Sequence, residues 1–247
     1  MPLEVYMSPR TAAADVQGKV VAVVDVLRAS TTIAVALANG ARTVVPFESP
    51  DEAITRSRQL ERGEVLLAGE RRNAAIPGFD LGNSPLEFTT EVVSGRNIFM
   101  TTSNGTRALL GLQGAREVVI ASYVNLAAVT AMLRAAARAD AQILIVCAGE
   151  EGHFSLEDAA CAGRYVRTIT NQKASITIDD GAYACELIDR EYGDNIAKIF
   201  EDSSHGKALA QAGFGDDLVA CAAVDSHPVV PIYQDKQITR LGPDRER

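Results

Sequence analysis

The chain has 247 residues, of which 47% are hydrophobic and 5% aromatic, with no tryptophan. That length suits one large α/β domain with a smaller subdomain, and an aliphatic core suits a sheet covered by helices. A formal charge of −8 disfavours nucleic acid and anionic membrane surfaces as partners, and four scattered cysteines without a CxxC pair read as reduced, buried thiols.

The opening MPLEVYMSPRTA lacks a basic-then-apolar leader, and no apolar run approaches membrane-spanning length, so a cytoplasmic protein is expected. Apolar runs then alternate with helical periodicity. Strands are predicted at Val20–Val26, Thr43–Phe47, Val65–Ala68, Asn97–Thr101, Glu117–Ala121 and Gln142–Cys147. Helices are predicted at Thr31–Asn39, Pro50–Arg62, Thr106–Leu112 and Leu126–Arg138. Gly69–Pro85 breaks the rhythm and reads as a long functional loop. After Cys147 the pattern is helical, with Leu156–Thr170, Asp180–Glu191, Ile196–Phe200 and Gly206–Ala212, and Val229–Tyr233 returns as an edge strand. The expected fold is a three-layer αβα arrangement with a mixed, largely parallel sheet in residues 1–150. Residues 151–247 form a mainly helical part packed on it.

Ligands of open α/β sheets bind beyond the carboxyl ends of the strands. Four predicted strands end in chemistry that the strands themselves lack: DVLRAST from Asp25, GERR from Gly69, TSNGT from Thr102, and AGEEGHFS from Ala148. Ser30-Thr31 and Ser103-Asn104-Gly105-Thr106 can open helices that offer N–H groups and hydroxyls to an oxyanion. Arg28, Arg71 and Arg72 supply planar cationic forks. Asp25, Glu70, Asp80, Glu157 and Asp158 are carboxylates able to hold a hard divalent cation. Together these are the requirements of phosphoryl transfer.

Each piece also has a purely structural reading. Asp25 can cap a helix or pair with Arg28, TTSNGT can be a turn, GERR a solvated loop, and Glu157 part of an N-terminal cap. What favours function is that four such pieces sit at strand ends. Several sharper motifs are missing. Asp25 lacks the second aspartate of a haloacid-dehalogenase strand end, Cys147 lacks the arginine of a phosphocysteine loop, and no P-loop or dinucleotide fingerprint occurs. The three histidines lack zinc-site spacing; His153 lies on a candidate site loop, whereas His205 and His227 read as surface or turn residues.

In the order VVDVLRAST, AGERR, GFDLGNSPLEF, TTSNGTRAL and CAGEEGHFSLEDAACAG, the chain resembles the 2-phosphosulfolactate phosphatase family from about Val20 to Tyr233. The resemblance implies a Mg²⁺-dependent acid phosphatase that hydrolyses (2R)-2-phospho-3-sulfolactate to 3-sulfolactate and phosphate, a step of coenzyme M biosynthesis. Roles are then assigned by chemistry. Asp25, Arg28, Glu70, Arg71 and Asp158 are the candidate catalytic residues, with Glu150 an alternative to Asp158 as acid/base. Mg²⁺ is expected on Asp25, Glu70 and Asp80. Ser30, Thr31, Arg72, Asn83, Ser84, Ser103, Asn104, Gly105, Thr106 and Glu150 are expected around a small anionic phosphorylated substrate. Whether Asp25 attacks phosphorus or holds the metal is left open, as is assembly into a homo-oligomer. Two other readings compete: an isochorismatase-type amidohydrolase using Cys147, for which the site region offers no lysine, and a small-anion binding protein without turnover.

Overall fold

The computed structural model describes residues 2–9, 16–61, 63–103, 108–109, 111–171 and 176–242. The strands are β1 (Pro2–Tyr6), β2 (Val20–Val24), β3 (Thr43–Pro46), β4 (Val65–Arg71), β5 (Ala74–Ala75), β6 (Asn97–Thr101), β7 (Glu117–Ala121), β8 (Ile143–Cys147), β9 (Thr177–Ile178), β10 (Pro231–Gln234) and β11 (Gln237–Arg240). They form one sheet in the order β5-β4-β6-β3-β11-β10-β7-β2-β8-β1-β9. The helices are α1 (Ala29–Ala38), α2 (Pro50–Ser57), α3 (Thr90–Val93), α4 (Leu126–Arg138), α5 (Leu156–Thr170), α6 (Asp180–Tyr192), α7 (Ile196–Asp202), α8 (Ser204–Gln211) and α9 (Gly215–Cys221).

β2 shows why the fold has three layers. All five residues, VVAVV, are buried. Successive side chains of a strand point to opposite faces, so Val20, Ala22 and Val24 join one core and Val21 and Val23 the other. The first core is closed by Leu126, Val129 and Leu133 of α4, Tyr165 and Ile169 of α5, and Ile199 and Phe200 of α7. The second is closed by Ile33, Val35 and Leu37 of α1. β7 and β8 flank β2 in parallel register, and β1 extends this parallel block beyond β8.

The sheet holds a second parallel block, β3-β6-β4. The β10–β11 hairpin joins the two blocks, antiparallel to β7 on one side and to β3 on the other. Val229–Tyr233 was expected as an edge strand; the observed β10 lies in the interior of the sheet instead. Its turn residues Asp235 and Lys236 both have φ above +50°, the conformation of a two-residue hairpin turn whose twist matches the strands it joins. By pairing alone the two blocks run in opposite directions. Neighbouring strands rotate by roughly 20–25°, and over the six steps from β2 to β4 this accumulates to about 120–150°. The carboxyl ends of β2 and β4 are thereby turned toward one another.

Gly69–Pro85 is not one long loop. β4 continues to Arg71, and a tight turn at Arg72 and Asn73, with φ of 53° and 66°, leads into β5. Gly69 makes this path possible: a Cβ there would lie 2.0 Å from the Thr101 carbonyl oxygen of β6. Of the helix predicted at Thr106–Leu112, residues 106, 107 and 110 lie outside the described residues, and Ala108 and Leu109 are helical. All four cysteines are free and buried, and none of the described helices is long and apolar enough to cross a membrane.

Candidate functional site

A cleft of about 540 Å³, including its open mouth, collects the ends of both blocks. Asp25 and Arg28 reach it from β2, Glu70, Arg72 and Asn73 from β4, Thr102 and Ser103 from β6, and Glu150 from beyond β8. Asn83 and His205 complete the wall. The cleft is small and lined mainly by polar side chains.

Asp25 is fixed by the start of α1. Its Oδ1 accepts a hydrogen bond from the Ala29 N–H at 3.2 Å, and its own N–H is donated to Ser30 Oγ at 3.0 Å. Oδ2 has no hydrogen-bond donor among the described residues. Burial, with the charges of Glu70 and Glu157, pushes the carboxyl up to about 6, against the pull of His205 and the Ala29 amide. The hydroxyl cluster after it serves the junction and not the cleft. Ser30 Oγ also donates to the Val23 carbonyl, Thr31 Oγ1 donates to the Val26 carbonyl and meets Ser122 Oγ at 2.7 Å, and the Ser30 N–H is spent on the Asp25 carbonyl. Nine of the ten residues of α1 are buried, so its polar side chains must find partners inside the protein. This corrects the expectation that Ser30 and Thr31 face the substrate.

Glu70 braces the second block. Oε1 accepts from the Ser103 N–H at 2.8 Å, and Oε2 from the Asn73 N–H at 3.0 Å and Ser103 Oγ at 3.3 Å. Of a carboxylate's roughly four acceptor sites, three are used. The two neighbouring arginines diverge. Arg71 donates to the carbonyls of Glu70 and Glu48 and to Thr101 Oγ1, which holds it away from the cleft. Arg72 enters the cleft, carried there by the turn. Arg72, expected as a substrate contact, lines the cleft, whereas Arg71, expected in the catalytic set, does not.

Asp158 lies behind Asp25. Its Oδ1 accepts from the Val26 N–H at 2.9 Å and its Oδ2 from the Gly149 N–H at 3.0 Å, clamping the ends of β2 and β8 together. It does not line the cleft, so the acid/base role expected of it has no geometric basis. Burial, then the charges of Asp25 and Glu157, push its pKa well above the usual carboxylate range. Ser155 caps α5 by accepting from the Asp158 N–H, and Glu157 pairs with His205 at 3.4 Å. His205 is thus a wall of the cleft and not a surface residue, whereas His153 is exposed in the turn after β8.

Arg28 is nearly enclosed, at 3% exposure. Its guanidinium is 2.5 Å from Asp217 Oδ2 of α9 and 4.3 Å from the centre of the Phe214 ring. Ser84 donates to the other Asp217 oxygen at 2.6 Å, so Ser84 supports this pair instead of lining the cleft. Asp80 sits on the outer side of β4, exposed, with Oδ2 accepting from the Leu67 N–H; it cannot join Asp25 and Glu70 around one cation. Asn104, Gly105 and Thr106 lie outside the described residues. Sequence reasoning missed Asn73, His205, Phe214 and Asp217, because no local motif marks them.

The donor chemistry fits a hard divalent cation held through few protein oxygens and water. Asp25 and Glu70 share the cleft, and beside them Asn83 Oδ1 is buried without a hydrogen-bond partner, an orphaned oxygen that a cation would satisfy. Among the described residues no three His, Cys, Asp or Glu side chains converge into a closed cage.

The family model for 2-phosphosulpholactate phosphatase matches residues 6–236. A protein of Symbiobacterium thermophilum named "Probable 2-phosphosulfolactate phosphatase" is 42% identical over 229 residues, 93% of this chain and 97% of its own. Proteins of the same name from Caldanaerobacter subterraneus and Thermotoga maritima are 38% and 37% identical, covering 88% and 93% of this chain and 88% and 94% of their own.

Proposed function

For this chain, which belongs to the 2-phosphosulfolactate phosphatase family, we propose hydrolysis of 2-phospho-3-sulfolactate to 3-sulfolactate and inorganic phosphate, with Mg²⁺ as cofactor. The observation that carries the reading is the convergence of β2, β4, β6 and β8 ends on one small polar cleft. In that cleft Asp25, Glu70, Glu150 and Glu151 stand against Arg72, His205 and an Arg28 already paired with Asp217. A cleft so rich in carboxylates repels a substrate carrying phosphate, carboxylate and sulfonate unless a cation balances it. Asp25 and Glu70, with Asn83 Oδ1, would hold the cation, which supplies charge neutralisation to the phosphoryl oxygens when bound.

The chain's own residues do the remaining work. Arg72 and the outward edge of the Arg28 guanidinium fork the anionic groups of the substrate. Glu70 keeps Ser103 and Asn73 in place across two strands. Asp25 lines the cleft with one oxygen fixed by the Ala29 N–H, and serves either to hold the cation or to attack phosphorus as the nucleophile. The setting we propose is the cytoplasm, at the step that consumes 2-phospho-3-sulfolactate on the way to coenzyme M; four free thiols support a reducing compartment.

The test is phosphate release from 2-phospho-3-sulfolactate with Mg²⁺ and with EDTA. Release that needs Mg²⁺ is expected. Anion binding without release would leave a binding protein, and release that persists in EDTA would remove the metal from the reading. Trapping a phosphoenzyme, or following solvent ¹⁸O into phosphate in a single turnover, separates the two roles of Asp25.

A further inference from the structure

We propose that His205 is the general acid of ester cleavage, protonating the departing oxygen, and that Glu157 is its positioning residue; the assignment rests on the phosphatase reading above. His205 lies in the first turn of α8, whose start is capped by Ser203. Its Nδ1 is 3.4 Å from Glu157 Oε1 and its Nε2 is 3.3 Å from Asn73 Oδ1. Both neighbours are oxygen acceptors, so a ring protonated on both nitrogens can donate to each. Asn73 lines the cleft and Glu157 does not. Nδ1 is therefore the anchored side and Nε2 the side that faces the substrate. At 3.3 Å, Asn73 is a weak partner that a substrate oxygen can displace.

Acidic groups act on the ring from three elements, Glu157 of α5, Asp25 at the end of β2 and Glu150 beyond β8; Glu70, Glu151, Arg28 and Arg72 line the same cleft. Burial alone would depress the imidazole pKa, but the Glu157 hydrogen bond and these charges outweigh burial and raise it above the usual imidazole value. The ring therefore holds its proton more strongly than a free imidazole does.

The chemistry requires such a donor. When the P–O bond to the ester carbon's oxygen breaks, the bonding pair stays on that oxygen, and an alkoxide is a strong base. Nε2–H supplies the proton and the alcohol leaves. The incoming water gives its oxygen to phosphorus and one proton back to the imidazole, so ester and water become alcohol and phosphate with the ring restored.

The experiment compares an alkyl phosphomonoester with p-nitrophenyl phosphate, whose phenolate departs without a proton. For His205→Gln the expected loss of kcat on the alkyl ester is about 10²- to 10⁴-fold, with a far smaller loss on the aryl ester. Equal losses on both esters would overturn the assignment. Glu157→Gln gives a second reading that a structural role would not move. With the carboxylate charge gone, the alkaline fall in kcat should shift to lower pH than in the parent; an unshifted limb would overturn the positioning role. A parent protein that releases phosphate from neither ester would instead bring down the phosphatase reading itself, an outcome distinguishable because the parent is inactive.

Discussion

Arg28 and Asp217 form a buried ion pair, 2.5 Å between guanidinium nitrogen and carboxylate oxygen, with both side chains 2–3% exposed. The pair joins the end of β2 to α9, 189 residues further along the chain. Removing one partner leaves a buried charge, which costs about 3–5 kcal/mol. Asp217→Ala is therefore expected to lower stability by about that amount in urea titrations. Replacing both partners with apolar residues should recover much of the loss while leaving substrate binding weak. A double variant as unstable as the single would remove this account of the pair.

Arg71 and Arg72 are adjacent, yet only Arg72 faces the cleft. A charge-assisted hydrogen bond contributes about 1.5–3 kcal/mol, so Arg72→Ala should raise KM roughly ten- to a hundred-fold with its melting temperature little changed. Arg71→Ala should do the reverse, lowering thermal stability with KM nearly intact. Steady-state kinetics and thermal melts on the two variants check this directly.

Asp25 is held protonated too easily for a carboxylate. A folded value of about 6, against an ordinary 3.8, means that its contribution to stability is fully present below 3.8 and is lost as pH rises through about 6. The difference corresponds to about 3 kcal/mol at 1.36 kcal/mol per pH unit. In EDTA, Asp25→Asn should therefore melt above the parent at pH 8 and close to it at pH 4, while losing activity. Saturating Mg²⁺ should raise the melting temperature of the parent, by the equivalent of about 2.7 kcal/mol at a hundredfold excess over Kd, and leave Asp25→Asn unmoved. A variant that still responds to Mg²⁺ would sink the role of Asp25 in holding it.

Asp158 satisfies two buried backbone N–H groups, those of Val26 and Gly149. Asp158→Ala orphans both, at about 1–3 kcal/mol each. Denaturant unfolding should register a loss of about 2–6 kcal/mol. Hydrogen exchange should show the ends of β2 and β8 opening first, because the clamp joins those two ends. Unchanged exchange at Val26 and Gly149 would contradict the clamp.

Much of this was legible beforehand. The apolar runs place β2, β3, β6, β7 and β8 within a few residues, and α4 and α5 with the same limits as observed, because helix periodicity and buried strands leave a local signature. β1 escaped notice because it is short and only its alternate residues, Leu3 and Val5, are buried. β11 and the interior position of β10 depend on pairing with β3 and β7, far off in the chain. At the site, the sequence singled out Asp25, Glu70, Arg72, Asn83, Ser103 and Glu150, all of which line the cleft. It also singled out Ser30, Thr31, Arg71, Asp80 and Asp158, which the fold uses elsewhere.

What the sequence determined by itself is where apolar strands stop and polar chemistry begins, since burial is written residue by residue into side-chain hydrophobicity. Which of those polar groups meet was decided only by tertiary structure. Arg71 and Arg72 differ in direction because a strand gives way to a turn between them. His205 enters the wall, and Asp217 reaches Arg28, because helices distant in sequence pack onto the strand ends. The ends of β2 and β4 converge because twist accumulates across six strand pairings. No local pattern encodes that sum.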